Sequence, residues 1–209
     1  MFAIIMLFIW KVRAIWPLAW VPALGLIVLS NARRGEGLGV LGLRWRDFSA
    51  GIRPGILFVA AIVAIALGAA VFAGTLRPVA VGPALAGIGL YCLWGLFQQY
   101  ILNGFFLNRL RDITRAPHAA PLVAATLFSL AHLPNPLLMA VTFAGGMVAT
   151  EFYLRYRNLL FLGLAHGIIG SVVFLAFPDS VSHHLRVGPG YIAYCQYFCG
   201  GAHLWLAWL

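Results

Sequence analysis

The chain has 209 residues, of which 63% are hydrophobic and only 9% charged, and its formal net charge is +9. A soluble domain carries about 25% charged residues, so this composition excludes a soluble globular protein and predicts an all-α, polytopic transmembrane helical bundle. The basic residues are spread through short segments with no continuous patch, which excludes nucleic acid as a partner and leaves membrane lipid as the expected one.

In chain order, residues 1–10 are apolar but too few to cross as a helix, and they lack a small-residue cleavage site. They read as an interfacial lead-in rather than a signal peptide. Seven apolar windows follow, at 14–30, 56–75, 83–107, 119–133, 137–154, 159–177 and 190–209, so about seven spans are expected. Pro17 and Pro22 would kink any helix joining the lead-in to the first window. The arginines sort by side: Arg33, Arg34, Arg44, Arg46 and Arg53 precede the second window, Arg109, Arg111 and Arg115 follow the third, and Arg155 and Arg157 follow the fifth. The opposite segments hold Arg77 and Arg186, an asymmetry that places the C-terminus in the cytoplasm and the N-terminus outside; Lys11 and Arg13 violate it.

The longest polar connection, 31–53, interleaves Leu41, Leu43, Trp45 and Phe48 with Arg44 and Arg46. It is expected to lie along the membrane interface, with a plain basic loop as the alternative. Pro134-Asn135-Pro136 forces a break that makes the fourth and fifth windows a tight hairpin. There is no internal repeat and no long hydrophilic linker, so residues 1–209 are read as a single integral-membrane helical domain. Cys195 and Cys199 lie one turn apart in the last window, where small apolar filler is expected; with Cys92 they make an odd set that implies no disulfide framework, and a metal reading would need two further ligands. His183 and His184 are expected to be solvated, and Gly188-Pro189-Gly190 reads as a turn into the last window. His118 and His203 carry no specific signal, and Trp94, Trp205 and Trp208 suit lipid or core equally.

The informative feature is polar. Gln98 and Gln99 stand side by side within the uncharged stretch 78–108, and His132 and His166 are lone polar groups in two later windows. An unpaired polar group in an apolar medium costs about 2–7 kcal/mol, so such residues build an interior site or a helix contact. At 3.6 residues per turn Gln99 and Asn103 share a helix face, Gln98 stands about 100° away, and Gly104 lets a neighbour approach closely. Phe128 lies one turn before His132. These residues could line one cavity. Glu151, the one acid inside a window, stands four residues before Arg155 and is expected to pair with it.

The stretches Gln98-Gln99-Tyr100-Ile101-Leu102-Asn103-Gly104-Phe105, Phe128-Ser129-Leu130-Ala131-His132 and His166-Gly167-Ile168-Ile169-Gly170 follow one another on successive windows. In this order they resemble the CPBP family of CAAX proteases and bacteriocin-processing enzymes (Abi), which are glutamate intramembrane peptidases, over a core of about 90–177. The family carries Glu-Glu-x-x-x-Arg followed by Gly and an aromatic, then Phe-x-x-x-His, then His-x-x-x-Asn. The resemblance implies an integral protein of a bacterial cytoplasmic membrane, catalytic positions at Gln98, His132 and His166, supporting or binding positions at Gln99, Asn103 and Phe128, and no metal or cofactor.

The departures fall as a set: glutamine replaces both glutamates, Asn103 the arginine and Gly170 the asparagine. An amide cannot accept a proton at physiological pH, so Gln98 cannot act as general base. The expected function is therefore a non-catalytic relative whose former active-site cavity binds a peptide, a lipid or a partner membrane protein. The alternative is an intramembrane endopeptidase working through His132 and His166, with an imidazole as base; a third reading has the two histidines binding haem or a metal.

Overall fold

The computed structural model describes residues 1–199 except 13, 14, 17, 19, 46 and 47. Arg13, Pro17, Arg46, His203, Trp205 and Trp208, discussed above, lie outside the described residues. The described chain is helical, in agreement with its composition. Helix α1 (Phe2–Leu7) continues through a π turn to Val12, followed by α2 (Trp20–Arg33) and α3 (Ile52–Phe72). Helix α4 (Val81–Ile113) leads to α5 (Ala119–Leu130), and α6 (Pro136–Tyr156) to α7 (Leu159–Ala176). A short turn of helix, α8 (Asp179–Ser182), precedes α9 (Pro189–Phe198).

Four of these, α3, α4, α6 and α7, are long and apolar enough to cross a bilayer, with 21, 33, 21 and 18 residues. Among the described residues these four meet that length, against seven expected windows, the last of which, 190–209, lies partly outside the described residues. At 1.5 Å per residue, the 14 residues of α2 and the 12 of α5 reach only about 21 and 18 Å. Helix α5 stops at Leu130 because the chain turns through residues 131–134, where Pro134 cannot continue a helix. Pro22 lies in the first turn of α2, where a missing N–H breaks no helical bond.

The bundle is apolar outside and buries a group of polar side chains within its hydrophobic core. Leu57, Ile65, Leu90 and Leu93 are about 70% exposed, as side chains facing lipid should be, and Trp94 also faces outward. Gln99, Asn103, Thr150, Asn135 and Asn158 are buried together with Leu102, Tyr153 and Leu159. With no hydrophobic drive between helices in lipid, small residues set the packing. A Cβ on Gly95 would come within 2.7 Å of the Gly163 carbonyl oxygen, one on Gly163 within 2.8 Å of Leu96 Cα, and one on Gly167 would fall on the Cys92 backbone. This glycine seam presses α4 against α7 and sets the depth at which Gln99 meets His166. Helices α5 and α6 form the expected hairpin, with Gly146 seated on Ala125.

Two buried asparagines fasten the loops to the helix ends. Asn135 caps α6 by accepting from Leu138 N at 3.1 Å and donates to the carbonyls of Ser182 and Arg186. Asn158 caps α7 by accepting from Phe161 N at 2.9 Å and donates to the carbonyls of Phe48 and Ala50. The 31–53 connection is thereby held against the start of α7, with Trp45 stacked on Phe48 and 77% exposed, the placement expected of an interfacial segment. At the same end Arg109 joins Glu36, Ser30 and Asn31, and Arg34 pairs with Asp112, tying α2 to the end of α4.

Three sequence expectations are corrected. Glu151 does not pair with Arg155: its carboxylate meets His118 Nδ1 at 2.7 Å, and Arg155 lies over the Tyr156 ring. The face Glu151 presents is shared with the start of α5, so a partner across the hairpin replaces the one a turn away. His183 is buried against Tyr191 rather than solvated, while His184 is partly exposed beside Asp179. Cys195 and Cys199 are bonded to each other rather than serving as separate filler.

Candidate functional site

The site begins with a change of helical pitch. Immediately after Gln98-Gln99, residues Tyr100–Leu107 of α4 adopt π-helical winding, a form that is rare and concentrated at functional positions. The wider turn frees carbonyls for other donors, and Gly104 O accepts from both Asn31 Nδ2 and Asn108 Nδ2 at 3.3 Å. Asn31 also donates to the Tyr100 hydroxyl at 2.9 Å. Helix α2 thus braces the irregular segment from one side.

On the other side Gln99 makes two bonds that fix its orientation. Its Oε1 accepts from Asn103 Nδ2 at 2.7 Å, so its Nε2 faces His166 Nδ1, 3.1 Å away. An amide nitrogen has no lone pair to offer, so Nδ1 must be the acceptor and the proton of a neutral imidazole must sit on Nε2. His132 has the opposite tautomer. Its Nδ1 lies 2.7 Å from the Phe128 carbonyl, which can only accept, so Nδ1 carries the proton and Nε2 is left with a lone pair. The Phe128 ring meets both imidazoles edge-on, with centroids 4.9 Å from His132 and 5.9 Å from His166. One histidine therefore offers a donor and the other an acceptor around a single aromatic ring.

The residues singled out from sequence are brought together with a change of order. Gln98, Gln99, Phe128, His132 and His166 line one cavity of about 1750 Å³. Gln99, not Gln98, is the one hydrogen-bonded to an imidazole. Gln98 Oε1 is shielded from solvent without a hydrogen-bond partner among the described residues. Asn103 does not line the cavity as expected; it is fully buried behind Gln99 and supports it. A small-molecule pocket commonly holds about 300–1,000 Å³, so this space suits a longer apolar chain. It runs along α6 from Leu138 to Tyr156, and its other walls include Phe8, Phe58, Ile88 and Phe174.

Tyr91 was not singled out from sequence. Its ring lies 6.3 Å from that of His166 and occupies the space a side chain at Gly170 would need. Tyr91, which lies two turns before Gln98, thus leaves room for glycine alone at 170. The Gly163-x-x-x-Gly167 spacing around His166 was the available signal for this close helix contact.

A family-model comparison matches residues 80–172 to type II CAAX prenyl endopeptidase, Rce1-like. No curated protein and no solved structure matches the chain. The matched segment contains all three motifs and the contact between α4 and α7, and the long apolar helices around it make this an integral membrane protein. Residues 80–172 are therefore similar to the Rce1-like type II CAAX prenyl endopeptidases, a match to the CPBP family over a little under half of the chain.

Proposed function

We propose that this protein is a non-catalytic relative of the CAAX endopeptidases that holds a membrane-embedded peptide or lipid chain in the former active-site cavity. The observation that carries this reading is the Gln99 bond to His166. A carboxylate at position 99 would accept from His166 Nδ1 and leave Nε2 as a base; the amide reverses the bond and makes Nε2–H a donor. A neutral donor at His166, a neutral acceptor at His132 and an unpartnered Gln98 oxygen suit binding a carbonyl and an N–H. The apolar walls suit a hydrocarbon chain or apolar side chains. The arginine-rich ends of α2, α4 and α6 support an orientation with those ends in the cytoplasm.

The test is binding and cleavage measured together. Protein in lipid nanodiscs is mixed with a fluorescent prenylated CAAX peptide. The expected result is saturable binding with the peptide recovered intact, weakened about tenfold by Gln98→Leu with Gln99→Leu, as the loss of one net hydrogen bond of about 1.4 kcal/mol would give. Steady release of the C-terminal tripeptide, abolished by His166→Ala, would overturn the reading. It would favour the endopeptidase alternative, which rests on the Nε2 lone pair of His132 as a proton acceptor.

A further inference from the structure

We propose that His183, Cys195 and Cys199 form a binding site for a thiophilic d10 metal ion, Zn²⁺ or Cu⁺, separate from the cavity polar cluster. The spacing of the cysteines places both sulfurs on one face of α9 and its C-terminal turn. The loop after α8 brings the third ligand. The side-chain donors of His183, Cys195 and Cys199 lie within 4.8 Å of one another. Helix α9 owes its position to the turn at Gly188, which has φ 56° and hands the chain to Pro189 at the first helical position.

The loop holding His183 is specialised. His183, His184 and Leu185 have φ of 50°, 53° and 54°, three successive left-handed residues without a glycine, a conformation that L side chains rarely adopt. Such backbone persists where its surroundings fix it. Asn135 fixes it here, donating to Ser182 O at 3.0 Å and to Arg186 O at 3.1 Å from a side chain that is fully buried. Cys195 and His183 are each 7% exposed and the Tyr191 ring stands 4.7 Å from the imidazole, so two of the three ligands are sheltered while Cys199 is half-buried and open to an incoming ion. One imidazole and two thiolates form a soft donor set. It excludes Mg²⁺ and Ca²⁺, which take oxygen, and fits Zn²⁺ or Cu⁺ with an open further position.

The two sulfurs are bonded to each other in this structure, so metal and disulfide are alternative states of one site. Opening the disulfide takes two electrons and two protons. A phosphine supplies the electrons and is converted to its oxide, with water providing the oxygen and the two thiol protons. The metal ion then displaces both protons into solvent as the thiolates bind.

The experiment uses tag-free, full-length protein in nanodiscs, reduced with a water-soluble phosphine that is then removed. Maleimide labelling is read by mass spectrometry with and without added Zn²⁺, and with Cu⁺ held in a chelator buffer. Protection of Cys195 and Cys199 by at least tenfold in rate by either ion, with Cys92 labelling unchanged, is expected, and the protecting ion identifies the metal. One equivalent of Co²⁺ should also give a thiolate charge-transfer band that His183→Asn shifts or removes and Cys92→Ser leaves in place. Equal labelling rates with and without either ion in the wild-type protein would overturn the proposal. The wild-type comparison holds even where a variant fails to fold. A Co²⁺ band that survives Cys195→Ser with Cys199→Ser would overturn it as well.

Discussion

Gln99, Asn103 and His166, in the interior, are joined by hydrogen bonds between neutral groups, whereas Arg77, Asp179 and His184, beyond the end of α7, are joined through charges. Gln99 is 3% exposed; the Asp179 side chain is 37% exposed. Water reaches the second group and not the first, and the chemistry follows the solvent. An unpaired charge held away from water is costly, so neutral amides deep in the bundle avoid a penalty that the outer cluster never faces. Arg77 shows what a solvated end allows: it donates to Phe177 O and Ser182 Oγ at 2.9 Å, packs over Phe174 and pairs with Asp179.

The sharpest way to break this contrast is to put charge back. Gln99→Glu is expected to lower stability by about 3 kcal/mol, the scale for an acid at the centre of a membrane helix, measured by reversible unfolding in bicelles. A variant as stable as the wild type would show that the interior never demanded neutrality. Next in size is Gly167→Ala, whose Cβ falls on the Cys92 backbone; overpacking of about 1–3 kcal/mol is expected. That variant should also weaken peptide binding, because parting α4 from α7 stretches the Gln99 bond to His166. Unchanged affinity would detach the seam from the site. Asn158→Ala removes the α7 cap and two bonds to the 48–50 segment. A loss of about 0.5–2 kcal/mol is expected, with faster proteolysis near Phe48 as the second readout.

The smallest effect is at the solvated end. The Arg77 guanidinium beside Asp179 holds its carboxyl below the usual carboxylate range, ahead of a smaller contribution from His184. A depressed folded-state pKa stabilises above the unfolded value and is lost as pH falls through the folded one. Thermal unfolding of the wild type should therefore weaken on acidification through and below the ordinary carboxylate range. Asp179→Asn should flatten part of that acid limb and leave neutral behaviour nearly unchanged, since solvent screens the pair. An identical acid limb in both proteins would remove this assignment.

Helical architecture and the order of the polar motifs were legible because apolar composition and spacing along a helix are local properties. The pairing of Gln99 with Asn103 was legible for the same reason, being a contact across one turn. What the sequence left open depends on neighbours in space. Whether Gln98 or Gln99 meets His166 turns on a rotation of about 100° set by the glycine seam and the π segment. The partner of Glu151 lies across a hairpin, and His183 meets Cys195 only because Asn135 folds the 182–186 loop back. The lengths of α2 and α5 were misjudged because hydropathy reports what tolerates lipid, not where the backbone turns.

The position of one proton tests the account most directly. In protein labelled with ¹⁵N-histidine and reconstituted in lipid, with the His166 signals assigned through His166→Asn, the expected spectrum at neutral pH shows a bare Nδ1 and a protonated Nε2. A proton on Nδ1 would mean that Gln99 accepts rather than donates, leaving His166 with a basic Nε2 and contradicting a non-catalytic site.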